Sequence, residues 1–119
     1  MLLGGCGLNV QSPDLFLMTR TGPGGALTVL VNDGGTIRCD GGHARSLPDQ
    51  LLLQARNVAT NLDNDAKRKL QFPVAANSVY TYTFKLPHGS VKFPDTAAGS
   101  HPELAQAEQF ALQARGECG

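Results

Sequence analysis

The sequence predicts an α+β domain in which an antiparallel five-stranded sheet carries two helices on one face, in the order β-β-β-α-β-β-α. Three observations predict it. Short apolar runs of strand length are joined by glycine-rich turns, two longer stretches switch to a helical period, and the loops between strands are too short for crossover connections, so neighbours pair antiparallel. The chain has 119 residues, enough for one domain that buries roughly two thirds of its unfolded surface.

Residues 7–13 lack any period and read as a short tether, with the domain spanning residues 14–119. Leu15–Arg20 is a compact apolar run closed by Thr21-Gly22-Pro23-Gly24-Gly25. Leu27, Val29 and Val31 alternate with Thr28 and Leu30 as a second strand, and Asn32-Asp33-Gly34-Gly35 supplies the residues a tight hairpin turn needs before Thr36–Cys39 forms the third. The period then changes. Ser46-Leu47-Pro48-Asp49 reads as a helix start, with Ser46 as N-cap, proline in the first turn and an acid where the helix dipole favours it. Leu51, Ala55, Val58 and Leu62 follow on one stripe, which fades in Asp63-Asn64-Asp65.

After Pro73, residues 79–86 alternate almost strictly, with Tyr80, Tyr82, Phe84 and Leu86 on one face and Thr81, Thr83 and Lys85 on the other. Pro87-His88-Gly89 turns the chain, and Val91 and Phe93 return inward. Ser100-His101-Pro102-Glu103 reads as a capping box for a last helix, in which Leu104, Ala107, Phe110, Ala111 and Ala114 face the core and which Gly116 ends.

Composition excludes several function classes. Ten Lys and Arg balance ten Asp and Glu, so a nucleic-acid partner is not expected: neutralising phosphates needs a basic excess or stripe. The same balance offers no case for an acidic substrate or an anionic membrane surface. No run approaches the ~18 apolar residues of a spanning helix.

Catalytic and metal chemistry find little to build on. Cys39 and His43 give a C-x₃-H spacing without the second half of a zinc site, and Asp33-Gly34-Gly35 lacks both calcium-loop and phosphate-loop spacing. No metal and no cofactor are expected. Nothing presents an activated nucleophile in a local motif. The paired carboxylates Asp63/Asp65 and Asp95/Glu103 read as a helix-end loop and a capping box rather than as acid and base across a cleft. The enzymatic alternative is a small pocket using His43 or His88 with Asp95; a further alternative is a secreted protease-inhibitor-like protein presenting residues 21–25 or 87–89.

The three cysteines are more informative, because any single bridge leaves one thiol over. Cys39 ends a strand and Cys118 follows the last helix, so the two are expected to pair, against the alternative of two unrelated buried thiols. Structural disulfides belong to oxidising compartments. Cys6 is the odd one. Leu3-Gly4-Gly5-Cys6 resembles a lipobox, in which small residues must precede the cysteine for cleavage next to a thioether-linked diacylglycerol; the alternative is an incidental thiol near the start of the chain. Only five residues precede Cys6, and a signal peptide needs a charged segment and an apolar one, so the lipobox reading expects a leader encoded upstream.

With that start, Thr19-Arg20-Thr21-Gly22, Asp33–Cys39, Leu47-Pro48-Asp49 and Asp95-Thr96 give the chain a resemblance to small lipoproteins of high-GC Gram-positive, actinobacterial-type bacteria. The resemblance implies a place rather than a reaction. It implies a non-catalytic extracytoplasmic module, held at the membrane by lipid on Cys6 or else secreted, and binding a protein or cell-envelope component.

Overall fold

A computed structural model describes residues 14–118. Cys6 and the tether, together with the final glycine, lie outside the described residues. The fold is α+β: a six-stranded antiparallel sheet with two helices. The strands are β1 (Asp14–Thr21), β2 (Leu27–Asn32), β3 (Thr36–Cys39), β4 (Ala44–Ser46), β5 (Thr81–Leu86) and β6 (Gly89–Pro94), in spatial order β4-β3-β2-β1-β5-β6. Helix α1 (Asp49–Lys67) joins β4 to the long connection before β5, and α2 (Pro102–Glu117) closes the chain after a short 3₁₀ turn over Asp95–Gly99.

The sixth strand is β4. The polar sequence Ala44-Arg45-Ser46 has no apolar alternation, yet it pairs with Thr36–Arg38 and stays fully exposed as a short edge. Ser46 therefore belongs to a strand and caps nothing: Pro48 occupies the N-cap of α1, with no side-chain cap. The second capping box is absent for the same reason of register. His101 is the N-cap of α2, Pro102 its first residue, and neither Ser100 nor His101 makes a side-chain cap bond. Gly116 lies within the helix, which ends at Glu117 with Cys118 as C-cap.

The core sits between sheet and helices. Pairing places Phe16, Met18 and Arg20 of β1, Val29 and Val31 of β2, Ile37 of β3, Tyr82 and Phe84 of β5 and Val91 and Phe93 of β6 on the helix side, all of them buried. A bulge at Leu15 sets the register of β1. Phe16 meets Phe84 edge-on at 5.1 Å and Phe110 of α2 at 5.6 Å, and Phe93 stacks on Tyr82 at 5.3 Å. The alanines of α2 let its backbone approach this aromatic layer closely. Helix α1 buries Leu51, Ala55, Val58, Leu62 and Ala66, and also Asp65.

The two hairpin turns lie at one end of the sheet, because β2 and β5 run parallel to each other on either side of β1. Helix α1 ties both down. Arg56 Nε donates to Asp33 Oδ1 at 2.7 Å in the β2–β3 turn, and Asp63 accepts from the His88 backbone N–H at 3.0 Å in the β5–β6 turn. At the other end, Cys39 of β3 and Cys118, the C-cap of α2, are disulfide-bonded across a Cα separation of 5.8 Å. Asp95 fixes the entry of β5 there by accepting from the backbone N–H groups of Val79 and Tyr80.

Candidate functional site

The residues considered for catalysis are not brought together. His88 and Asp95 flank β6 at its two ends, roughly 20 Å apart at the rise of an extended strand. His43 adjoins β4, the opposite edge of the sheet, five strand spacings or roughly 24 Å from β6. Each acid is also occupied structurally: Asp63 by His88, whose ring Nδ1 lies 2.7 Å from it, and Asp95 by the amides of β5. Among the described residues no three His, Cys, Asp or Glu side chains cluster as a metal site, and no helix is long and apolar enough to cross a membrane.

Two buried polar clusters escaped the sequence reading. In the first, Asp65 is not in a helix-end loop but inside α1, where its buried carboxyl meets Glu103 at the start of α2. Burial, and then the hydrogen bond and charge of Glu103, push the Asp65 pKa up to about 6. Glu103 is held below its ordinary value, first by its interaction with Asp65, so below about pH 6 the proton of the pair resides on Asp65. In the second cluster, Arg20 is buried, its guanidinium 4.4 Å from the centre of the Tyr80 ring. Glu108 of α2 is pushed up to about 7 by burial and then by the Asp95 charge, and burial raises the Tyr82 phenol. Tyr82 and Phe84 belong to the core, as their alternation suggests.

A concavity of about 690 Å³ opens along the outer edge of β6. Its strand wall is His88–Ser90 and Lys92; the opposite wall is the connection after α1, from Lys69 to Val74. Gly89 closes the hairpin end against Ala66, with φ of 141° and only 3.5 Å between Ala66 Cβ and the position a Cβ would take. The two walls do not bond to one another: among the described residues no backbone hydrogen bond joins residues 71–74 to β6.

The register defines what the strand wall offers. The two-residue turn Pro87-His88 makes Leu86 and Gly89 a closing hydrogen-bonded pair, so by alternation Phe84–Val91 and Tyr82–Phe93 exchange bonds inside the hairpin. The Asp95 N–H donating to the Tyr80 carbonyl at 2.9 Å continues that parity. Ser90 and Lys92 consequently point their backbone N–H and C=O groups into the groove. Lys69, His88 and Lys92 contribute the ionisable side chains of the lining, with no Asp or Glu, while Leu70, Phe72 and Val74, on the wall that Lys69 shares, supply apolar surface.

No family model, curated protein or solved structure matches the chain.

Proposed function

We propose that the chain is a non-catalytic extracytoplasmic module, lipid-anchored through Cys6, that holds a protein or cell-envelope component. The observation that carries this reading is the Cys39–Cys118 pair. A bridge of that kind belongs to an oxidising compartment, and it leaves Cys6 as the remaining cysteine, preceded by Leu3-Gly4-Gly5. Two acyl chains on that sulfur would anchor the domain durably, since each buried CH₂ contributes ~0.8 kcal/mol. The structural employment of His88, Asp63 and Asp95 supports a binding role over a catalytic one.

The test is expression in an actinobacterial host with the upstream coding sequence in place, followed by fractionation and intact mass. The membrane fraction should hold a chain beginning at Cys6 with diacylglycerol mass added, and Cys6→Ala should release it from the membrane. A cytosolic chain with Cys39 and Cys118 both alkylatable without reductant would overturn the reading.

A further inference from the structure

We propose that the β6 groove takes an extended peptide of alternating acidic and apolar residues as a seventh strand of the sheet. The proposal deepens the binding-module reading and rests on it. An edge strand displays a row of unpaired donors and acceptors, and proteins that do not use such an edge keep it short, cover it, twist it away or place lysine or proline on it. The β4 edge follows that rule: it is three residues long and ends in solvent. The β6 edge follows it only through Lys92 and Pro94, which leave the Ser90–Lys92 stretch open. It is six residues long, Ser90 and Lys92 aim their N–H and C=O groups outward, and a second wall stands opposite at a spacing that leaves about 690 Å³ between them. An added strand would satisfy both residues' backbone groups, the source of affinity in strand addition, while alternate side chains supply selectivity.

The two faces of the added strand meet different chemistry. On the helix side its side chains would lie against Leu70, Phe72 and Ala66, next to the buried row of Val91 and Phe93. On the other side they would lie beside Lys92, with Lys85 in the adjacent strand opposite Ser90, on a sheet face that bears no helix. Apolar residues suit the first position and carboxylates the second. A second copy of this chain fits poorly in the same slot, because β6 meeting β6 would bring the two copies' Lys92 and Lys69 side chains together. Pro94 ends the strand and has no N–H, which limits the addition to the Ser90–Lys92 stretch and the residues flanking it.

The experiment uses the full oxidised chain and a capped octapeptide of four Glu-Val repeats, with a Lys-Val octapeptide of the same length as its counterpart. Amide NMR at low salt should show the Ser90 and Lys92 N–H signals shifting and becoming protected from exchange on addition of the Glu-Val peptide. The Lys-Val peptide should leave them unchanged. Lys92→Glu should weaken Glu-Val binding tenfold or more, and salt should weaken it in the same direction. Ser90→Pro removes an outward N–H and should abolish uptake; a Glu-Val peptide N-methylated at alternate residues tests the same hydrogen bonds with the protein unaltered. Unshifted Ser90 and Lys92 amides at millimolar peptide, equal uptake of the two peptides, or a dimer through β6 that excludes both would overturn the proposal. Membrane retention through Cys6 is read separately, so loss of either property leaves the other standing.

Discussion

Asp63 accepts two hydrogen bonds from His88, one from its backbone N–H at 3.0 Å and one involving ring Nδ1 at 2.7 Å, so a residue of α1 holds the β5–β6 turn through both its backbone and its side chain. The His88 ring is more than half exposed, and exposed ion pairs contribute about 0–1 kcal/mol. His88→Ala removes only the ring contact and should cost less than about 1 kcal/mol. Asp63→Ala also strands the turn amide and should cost about 1–2 kcal/mol. Urea denaturation of the two variants checks the order; a larger loss for His88→Ala would show that the ring, not the turn amide, carries the attachment.

The Cys39–Cys118 bridge closes a loop with a sequence separation of 79 residues. In the chain-entropy treatment a loop of that size stabilises the fold by about 4.5 kcal/mol, a large share of the 5–15 kcal/mol typical of a domain. The double variant Cys39→Ser/Cys118→Ser should therefore unfold at much lower urea concentration than the oxidised chain. Reductant should shift the parent's midpoint toward the variant's and leave the variant's own midpoint unmoved.

The core was legible because burial imposes period. Leu51, Ala55, Val58 and Leu62 declare one side of α1, and Tyr82 and Phe84 one side of β5, with neighbours that cannot share it. The sixth strand was not legible, since Ala44-Arg45-Ser46 is fully exposed and pairs only because β3 offers an open edge. Helix starts misled for a related reason: Ser46 and Ser100 are good N-caps in isolation, but pairing with β3 and the 3₁₀ turn before α2 settle where each helix begins. Asp65 lies at a charged helix end in sequence, and only the approach of α2 makes it buried. The groove was invisible to composition. A net charge of zero averages over a surface on which Lys69, His88 and Lys92 converge from segments far apart in the chain.

Gly22 should tolerate no side chain. A Cβ there would stand 2.5 Å from the Tyr80 ring and 2.7 Å from the Val79 carbonyl oxygen. Neither neighbour can yield easily, because Asp95 holds the Val79 and Tyr80 amides and Arg20 lies against the Tyr80 ring. The φ of 153° adds to the penalty for any L-residue. Gly22→Ala should cost about 1–3 kcal/mol, as overpacking does. Gly24, whose Cβ position is open, has φ of 89° and serves as the control: Gly24→Ala keeps the backbone penalty without the clash, and chemical denaturation should show Gly22→Ala to be the more damaging of the two.

The two raised carboxyls make stability depend on pH in a direction opposite to ordinary acid denaturation. Asp65 near 6 and Glu108 near 7 hold protons in the folded state that they lose at about pH 4 when unfolded. Between those values the folded chain binds more protons than the unfolded one, so the unfolding free energy falls as pH rises. Their contribution is fully present below pH 4 and is lost as pH rises through 6 and 7. Glu103 works the other way, its lowered pKa contributing stability that is lost only as pH falls through its folded value. The melting temperature should therefore decline from pH 5 to pH 8. Asp65→Asn keeps a hydrogen-bonding group beside Glu103 without a titrating proton, and Glu108→Gln fills the same half-buried position neutrally; each should flatten part of the decline, and the double variant should be more stable than the parent at pH 8. A double variant that keeps the parent's full slope would show that the titration responsible lies elsewhere in the domain.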